Sequence, residues 1–130
     1  MADLRVLIVD DDELAAEIVN EFIAKSGVDC EIEWVWNGFE ALVRIQESQP
    51  DVIFLDYMMP TYDGQELLRG MLRLKSATNA LIAVVSSYVN DENRHEFTDL
   101  GVHFVFDKPV SVDQIHEVIA RAMSEKLKRA

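Results

Sequence analysis

Short runs of β-branched residues alternate with helix-like patterns along the chain, and this alternation constrains the fold more than any other feature. Five runs have the length and composition of strands: residues 6–9, 32–36, 52–55, 81–85 and 103–106. Four of them, VLIV, VIFL, LIAVV and HFVF, have the character of strands buried on both faces, and IEWVW is the fifth. In the IEWVW run, Trp34 and Trp36 share one face with Ile32, a pattern that favours core packing over a ligand-stacking site.

The segments between the strands show apolar residues at helical spacing. These residues are Leu14, Ile18 and Phe22; Ala41, Leu42 and Ile45; Leu67, Leu68, Met71 and Leu72; Phe97 and Leu100; and Ile115, Val118, Ile119 and Ala122. Strand and helix therefore alternate five times, which predicts an α/β fold of the doubly wound (βα)5 type, with right-handed crossovers and helices on both faces of a parallel sheet. We find no repeat or linker, so we expect residues 1–130 to form a single domain.

The charge balance excludes several classes of function. The chain has 12 basic and 24 acidic residues and a net charge of −12, a poor match for nucleic acid or anionic lipid. The longest apolar run, residues 80–85, is far shorter than the ~20 residues that span a bilayer, and the first residues lack the apolar region of a signal peptide. We therefore expect a soluble cytoplasmic protein that binds neither membrane nor nucleic acid directly.

Polar side chains follow four of the predicted strands at the point where each strand ends. Asp10 and Asp11 follow the first strand, Asp56 the third, Ser86 the fourth and Lys108 the fifth. Sites in doubly wound sheets form at the carboxyl ends of the strands. Three carboxylates, a hydroxyl and an ammonium group are therefore predicted to meet at one edge of the sheet.

Acidic residues that follow a strand can have an ordinary structural explanation. Asp12 and Glu13 are explained by a helix N-terminus, where negative charge is favourable. That explanation does not extend to Asp56. If the carboxylates at the strand ends meet, any two of them about 4 Å apart repel by roughly 4 kcal/mol at the effective dielectric of a partly buried site. A divalent cation would cancel this repulsion, and an oxygen-rich acidic site is what Mg²⁺ selects.

Four segments together resemble the receiver domain of two-component response regulators, of the kind found in chemotaxis regulators. The segments are VDDD at residues 9–12, DYMMPTYDG at 56–64, VVSS at 84–87 and DKP at 107–109, and the resemblance covers about residues 4–123. It implies a flavodoxin-like fold with sheet order 2-1-3-4-5. It also implies a signalling switch that catalyses only its own phosphorylation and dephosphorylation.

The resemblance assigns a role to each residue that matches the family motif. Asp56 matches the phosphoryl acceptor, Asp10 and Asp11 the acidic pair that holds Mg²⁺, Met58 the residue whose backbone carbonyl completes the metal site, Ser86 the switch hydroxyl, and Lys108 the lysine whose bond to Pro109 is typically cis. The implied phosphoryl donor is a histidine kinase or a histidine phosphotransfer protein. The downstream effector stays unidentified, and a phosphorylation-dependent dimer stays open.

Two departures from the family pattern concern the signal path. Val105 stands three residues before Lys108, where the family usually has an aromatic ring that rotates inward on phosphorylation. Ser87 stands where the family usually has Ala, and Tyr88 follows it. We therefore expect the response to pass through residues 87–93, with Tyr88 as the mobile aromatic residue.

Two other functions fit part of the same pattern. VDDDEL also resembles the D-x-D motif of haloacid-dehalogenase-type Mg²⁺-dependent phosphatases, with Asp10 as nucleophile and Asp12 as acid/base, but those enzymes need a further acidic pair on a strand beyond the lysine. Here the acids after Lys108 lie on or enter a helix. A degenerate receiver that acts as a phosphate-independent interaction module is the other alternative, although every acceptor-site residue is present in the sequence. Tightly bound flavin is disfavoured because no Ser/Thr/Gly-rich phosphate loop follows the first strand.

Overall fold

The computed structural model describes residues 2–57 and 64–129, with only the backbone described for residues 64, 65 and 75–78. Strands and helices alternate in the predicted order: β1 (Leu4–Val9), α1 (Glu13–Ala24), β2 (Cys30–Val35), α2 (Gly38–Ser48), β3 (Val52–Asp56), α3 (Gly64–Thr78), β4 (Leu81–Ser86), α4 (Asp91–Asp99), β5 (Phe104–Asp107) and α5 (Val112–Arg129). All strand pairs are parallel, and the sheet order is β2-β1-β3-β4-β5. The predicted α/β architecture and the order 2-1-3-4-5 are therefore confirmed.

The strand register aligns the carboxyl ends of the strands along one edge of the sheet. Val9 at the end of β1 lies opposite Val35 of β2 and Leu55 of β3. Farther along the sheet, Asp56 lies opposite Val85, and Ser86 opposite Asp107. Polar residues at or just beyond these positions are thus brought to a common edge by backbone pairing alone.

Successive residues of the buried strands contribute to two apolar layers, one on each face of the sheet. On one face, Val6 and Ile8 of β1 pack in a cluster with residues of α1 and α5. On the other face, Leu7 and Val9 pack in a cluster with residues of α2, α3 and α4. The sheet therefore lies between two helical layers, as a doubly wound fold requires.

The spacing of Leu14, Ile18 and Phe22 correctly predicts α1 but not the side that it buries. The buried residues of α1 are Ala16, Val19 and Ile23, while Leu14 is 64% exposed and Ile18 is 39% exposed. At 100° per residue the apolar residues of α1 from Leu14 to Ile23 cover an arc of about 200°. Only one side of that arc meets the sheet, so Leu14 and Ile18 at the other side face solvent.

The prediction of core packing holds for Trp34 but is wrong for Trp36. Trp34 lies within β2 and its half-buried ring packs against the core cluster on the α1 and α5 face. β2 ends at Val35, so Trp36 lies beyond the last paired residue of an edge strand, and its side chain is 59% exposed. None of the helices in the described residues has the combination of length and apolarity needed to cross a membrane.

Candidate functional site

The predicted polar residues meet at the carboxyl edge of the sheet. Asp10 follows β1, and Asp56 and Ser86 are the last residues of β3 and β4. All three are almost fully buried, with exposures of 6%, 6% and 1% respectively, whereas Asp11 is exposed. Asp10, Asp11 and Asp56 each place one carboxylate oxygen within 4.8 Å of the others. The structure thus assembles the acidic cluster that the strand ends predicted.

Lys108 neutralises part of this negative charge. Its Nζ atom lies 3.3 Å from Oδ2 of Asp10 and 3.4 Å from Oδ2 of Asp56. Burial alone lowers the pKa of Lys108, but attraction by the two carboxylates outweighs it, and the pKa is raised above its ordinary value of 10.5. The ammonium group therefore stays charged at neutral pH. The backbone N–H of Lys108 donates to the Ser86 carbonyl at 3.0 Å, and the bond to Pro109 is cis, as the resemblance implied.

Asp10 is held by hydrogen bonds to both its carboxylate and its backbone. Oδ1 accepts a hydrogen bond from the Asp12 backbone N–H at 2.9 Å, and Oδ2 accepts one from Lys108. The Asp10 N–H donates to the Val35 carbonyl at 3.1 Å, and the Asp10 carbonyl accepts a hydrogen bond from the Trp34 indole Nε1–H at 2.8 Å. The sequence reasoning missed the contact with Trp34, because only the register of β1 against β2 reveals it.

Asp12 has the structural role that its position predicted. It is the N-cap residue of α1, and its Oδ1 accepts a hydrogen bond from the Leu14 backbone N–H at 3.0 Å. Glu13 lies in the first turn of the helix. Both residues therefore place negative charge where the helix dipole favours it.

Ser86 connects the acidic cluster to the segment that leads into α4. Its Oγ accepts a hydrogen bond from the Tyr88 backbone N–H at 3.2 Å, and the Tyr88 carbonyl accepts one from the Asn93 side chain. The side chain of Tyr88 is 68% exposed. Val105 of β5 is half-buried and packs against the cluster on the α4 face. No aromatic side chain stands at position 105, so the described α4–β5 face lacks the ring that the family pattern would place there.

The donor atoms of the acidic cluster suit Mg²⁺. Three carboxylates share the site with the Lys108 ammonium, and hard oxygen ligands of this kind are those that Mg²⁺ prefers. The cluster could therefore hold a divalent cation. The predicted contribution of the Met58 carbonyl falls outside the described residues.

Comparisons with known proteins agree with this geometry. The family model of the response regulator receiver domain matches residues 6–120. The transcription factor SKN7 of Chaetomium thermophilum is 32% identical over 95% of this chain, which spans only 16% of that protein. Hybrid histidine kinases of Dictyostelium discoideum are also related, and the chain spans 7% and 4% of two that are 30% identical to it.

Two further matches cover both partners almost completely. Sporulation initiation phosphotransferase F of Bacillus subtilis is 28% identical over 97% of this chain and 98% of its own length. The solved structure of a Francisella response regulator receiver domain superposes with a TM-score of 0.81 and 29% identity, over 95% of this chain and 98% of that one. By its fold and its family match, this chain belongs to the response regulator receiver domain family of two-component signalling systems.

Proposed function

We propose that Asp56 accepts a phosphoryl group in a Mg²⁺-dependent reaction and that the phosphorylated domain changes its binding to a partner. The observation that carries the proposal is the position of the Lys108 ammonium, 3.3 Å from Asp10 and 3.4 Å from Asp56 within the acidic cluster. A positive charge at this point can stabilise the equatorial oxygens of a phosphoryl group during transfer.

The residues of the chain have separate roles in this reaction. An oxygen of the Asp56 carboxylate attacks phosphorus, the bond from phosphorus to the donor imidazole nitrogen breaks, and an acyl phosphate forms on Asp56. Lys108 then gains an interaction with the transferred phosphoryl oxygens. The Ser86 hydroxyl, whose Oγ already accepts the Tyr88 N–H, is free to donate its proton to one of these oxygens.

The metal would be held by Asp10, Asp11 and Asp56, together with the carbonyl of Met58. Asp11 is the exposed member of the cluster and is proposed as a direct ligand, whereas Asp10 already accepts hydrogen bonds from Asp12 and Lys108 and is proposed as an outer one. When bound, Mg²⁺ supplies positive charge that offsets the charge of the phosphoryl oxygens and of the carboxylates.

The proposal extends to the setting in which the domain works. The phosphoryl donor is a phosphohistidine on a histidine kinase or phosphotransfer protein, and the domain catalyses no reaction beyond its own phosphorylation and dephosphorylation. Because histidine kinases draw phosphoryl groups from ATP, the proposal includes a cytoplasmic location. Residues 1–130 are proposed to act as one domain, a view supported by the single sheet with one apolar cluster on each face.

The role of Asp12 argues against the phosphatase alternative. A D-x-D phosphatase needs Asp12 as its acid/base, but the Asp12 carboxylate caps α1 through Leu14. The same Asp12 residue donates its backbone N–H to the carboxylate of Asp10, the nucleophile of that alternative. Asp12 therefore fits the role of a helix cap better than that of an acid/base.

Intact-mass spectrometry tests the proposal directly. With acetyl phosphate or phosphoramidate and Mg²⁺, the protein should gain one phosphoryl group, about 80 Da, and EDTA should prevent the gain. Asp56→Asn should gain none.

Asp12→Asn is the matched control, because asparagine caps a helix as well as aspartate does. It removes one charge from the loop after β1 and should be labelled at the wild-type rate. Two results would favour the phosphatase instead: phosphorylation of Asp56→Asn, or loss of phosphodonor hydrolysis in Asp12→Asn alone.

A further inference from the structure

The indole of Trp34 ties the edge strand to the turn that carries the acidic pair. Its Nε1–H donates to the carbonyl of Asp10 at 2.8 Å, a contact between residues 24 positions apart. Trp34 lies opposite Ile8 in the β1–β2 register. The side chain therefore reaches along the sheet, past the end of β1, to the first residue of the turn.

The indole N–H takes the place of a backbone N–H that a longer β2 would donate to the Asp10 carbonyl. The Asp10 N–H still pairs with the Val35 carbonyl at 3.1 Å, but Val35 is the last residue of β2. Beyond that residue the Asp10 carbonyl accepts its hydrogen bond from the Trp34 indole. Both backbone polar groups of Asp10 are thus bound to β2, although Asp10 lies outside β1.

The indole itself is held firmly in position. The half-buried ring of Trp34 packs against the core cluster, and it contacts the Trp36 ring with centroids 5.7 Å apart and planes tilted by 57°. A donor held in this way can resist the repulsion that would push the turn outward when three carboxylates lie within 4.8 Å of one another.

We propose that Trp34 is a positioning residue for the metal site, which holds the backbone at Asp10 so that the carboxylates of Asp10 and Asp11 stay directed at Asp56. The inference rests on the proposed Mg²⁺-dependent function and adds a residue to it. Trp34 acts through Asp10 and touches neither the metal nor the phosphoryl group.

Trp34→Phe removes the donor and keeps an aromatic ring. Trp36→Phe is the matched control, because it makes the same exchange at a largely exposed position and keeps an aromatic ring beside Trp34. Mg²⁺ affinity should be measured by isothermal titration, with a thermal melt of each variant in EDTA to confirm folding. Trp34→Phe should raise the Kd for Mg²⁺ about threefold to tenfold, the effect of losing one neutral hydrogen bond. Trp36→Phe should leave it unchanged.

The labelling rate with acetyl phosphate separates positioning from chemistry. At limiting Mg²⁺, Trp34→Phe should be labelled more slowly than Trp36→Phe, and saturating Mg²⁺ should restore the rate to within about twofold of wild type. A defect that persists at saturating Mg²⁺, or equal Kd values for the two variants, would overturn the inference.

A spectroscopic readout needs no substitution at Trp34. The sequence has two Trp residues, so in Trp36→Phe the single indole N–H resonance reports Trp34 directly. It should shift as Mg²⁺ is added, with the Kd found by calorimetry, and a resonance that does not move counts against the inference. If wild type binds no Mg²⁺ at all, the proposed function fails first; if wild type binds Mg²⁺ and only the Trp34 results are negative, the inference alone fails.

Discussion

Different kinds of contact stabilise the acceptor site and the segment after β4. We call Asp10, Asp11, Asp56 and Lys108 the acceptor cluster, and residues 87–90 the β4–α4 loop. Besides one local bond from the Asp12 N–H, the hydrogen bonds to Asp10 at the acceptor cluster come from Lys108 and Trp34, 98 and 24 positions away. Those around the β4–α4 loop span two to five positions.

The difference indicates which region can move. The geometry of the acceptor cluster depends on the pairing of several strands and on contacts between residues far apart in the sequence. The β4–α4 loop depends on local bonds. In α4, Phe97 is the one buried side chain, and Arg94 donates to the Val105 carbonyl of β5 at 3.3 Å. Regions with few buried apolar contacts rearrange at low cost in free energy. The chemistry and the response to it are therefore expected to reside in different parts of the domain.

At least two contacts connect these regions within the part of the chain that the structure describes. The Lys108 N–H donates to the Ser86 carbonyl, and the ring of Tyr57, next to Asp56, meets the ring of Phe97 edge to face with centroids 4.7 Å apart. A change at the acceptor cluster can therefore reach α4, because ligands shift populations only through differential contacts of this kind.

Lys108→Met should give the largest effect, because it removes the cation that both buried carboxylates contact. In metal-free buffer the free energy of unfolding should fall by about 2 kcal/mol, measured by urea denaturation. Mg²⁺ should still bind, but the amide shifts that beryllofluoride, a phosphoryl mimic, induces in α4 should disappear.

Lys126→Met is the control for Lys108→Met. Lys126 pairs with Asp51 at 3.2 Å on a more exposed part of the surface, so its loss should cost less than about 1 kcal/mol and leave the response intact. Equal losses of stability in the two variants would mean that the acceptor cluster has no special dependence on its cation.

Asp11→Ala should abolish Mg²⁺ binding while the fold persists. In metal-free buffer its free energy of unfolding should be unchanged or up to about 1 kcal/mol higher, because one source of repulsion is removed. Millimolar Mg²⁺ should raise the Tm of wild type and of Asp12→Asn but not that of Asp11→Ala. An unchanged wild-type Tm would show that the acidic cluster is not a metal site.

Tyr88→Ala should separate the response from the chemistry. Its labelling rate should stay within about twofold of wild type, while the beryllofluoride-induced amide shifts in α4 and α5 should weaken. Val105→Tyr, which places a ring at the position where the family usually has one, should enlarge them. If Tyr88→Ala leaves these shifts intact, Tyr88 is not the mobile residue and the response takes another route.

Asn93→Ala should give the smallest effect. It removes one half of the capping box that Asn90 and Asn93 form at the start of α4, at a cost of about 1 kcal/mol or less. Hydrogen exchange should increase in α4 and stay unchanged in β1 and β3. Slower labelling in this variant would contradict the assignment of the chemistry to the acceptor cluster.

The architecture and the position of the site could be predicted because both depend on patterns along the chain. Alternating strand and helix patterns predict a parallel sheet, and the carboxyl ends of parallel strands meet at one edge. Asp10, Asp56, Ser86 and Lys108 could therefore be placed together before any distance was known. The four resembling segments then supplied the sheet order.

Other features depend on three-dimensional packing that the sequence does not encode locally. The apolar arc of α1 is wider than the surface that it buries, so periodicity identifies the helix but not the exposure of Leu14. The bond from Trp34 to Asp10 requires the β1–β2 register and the end of β2 at Val35. The exposure of Trp36 has the same origin.

The most direct test of the division between chemistry and response is to locate the phosphoryl group. Phosphorylated protein should be reduced with borohydride, which converts an acyl phosphate on aspartate to homoserine, and the product mapped by peptide mass spectrometry. Homoserine at position 56, at equal yield in wild type and Tyr88→Ala, is the predicted result. Homoserine at position 10, or a yield that depends on Tyr88, would contradict it.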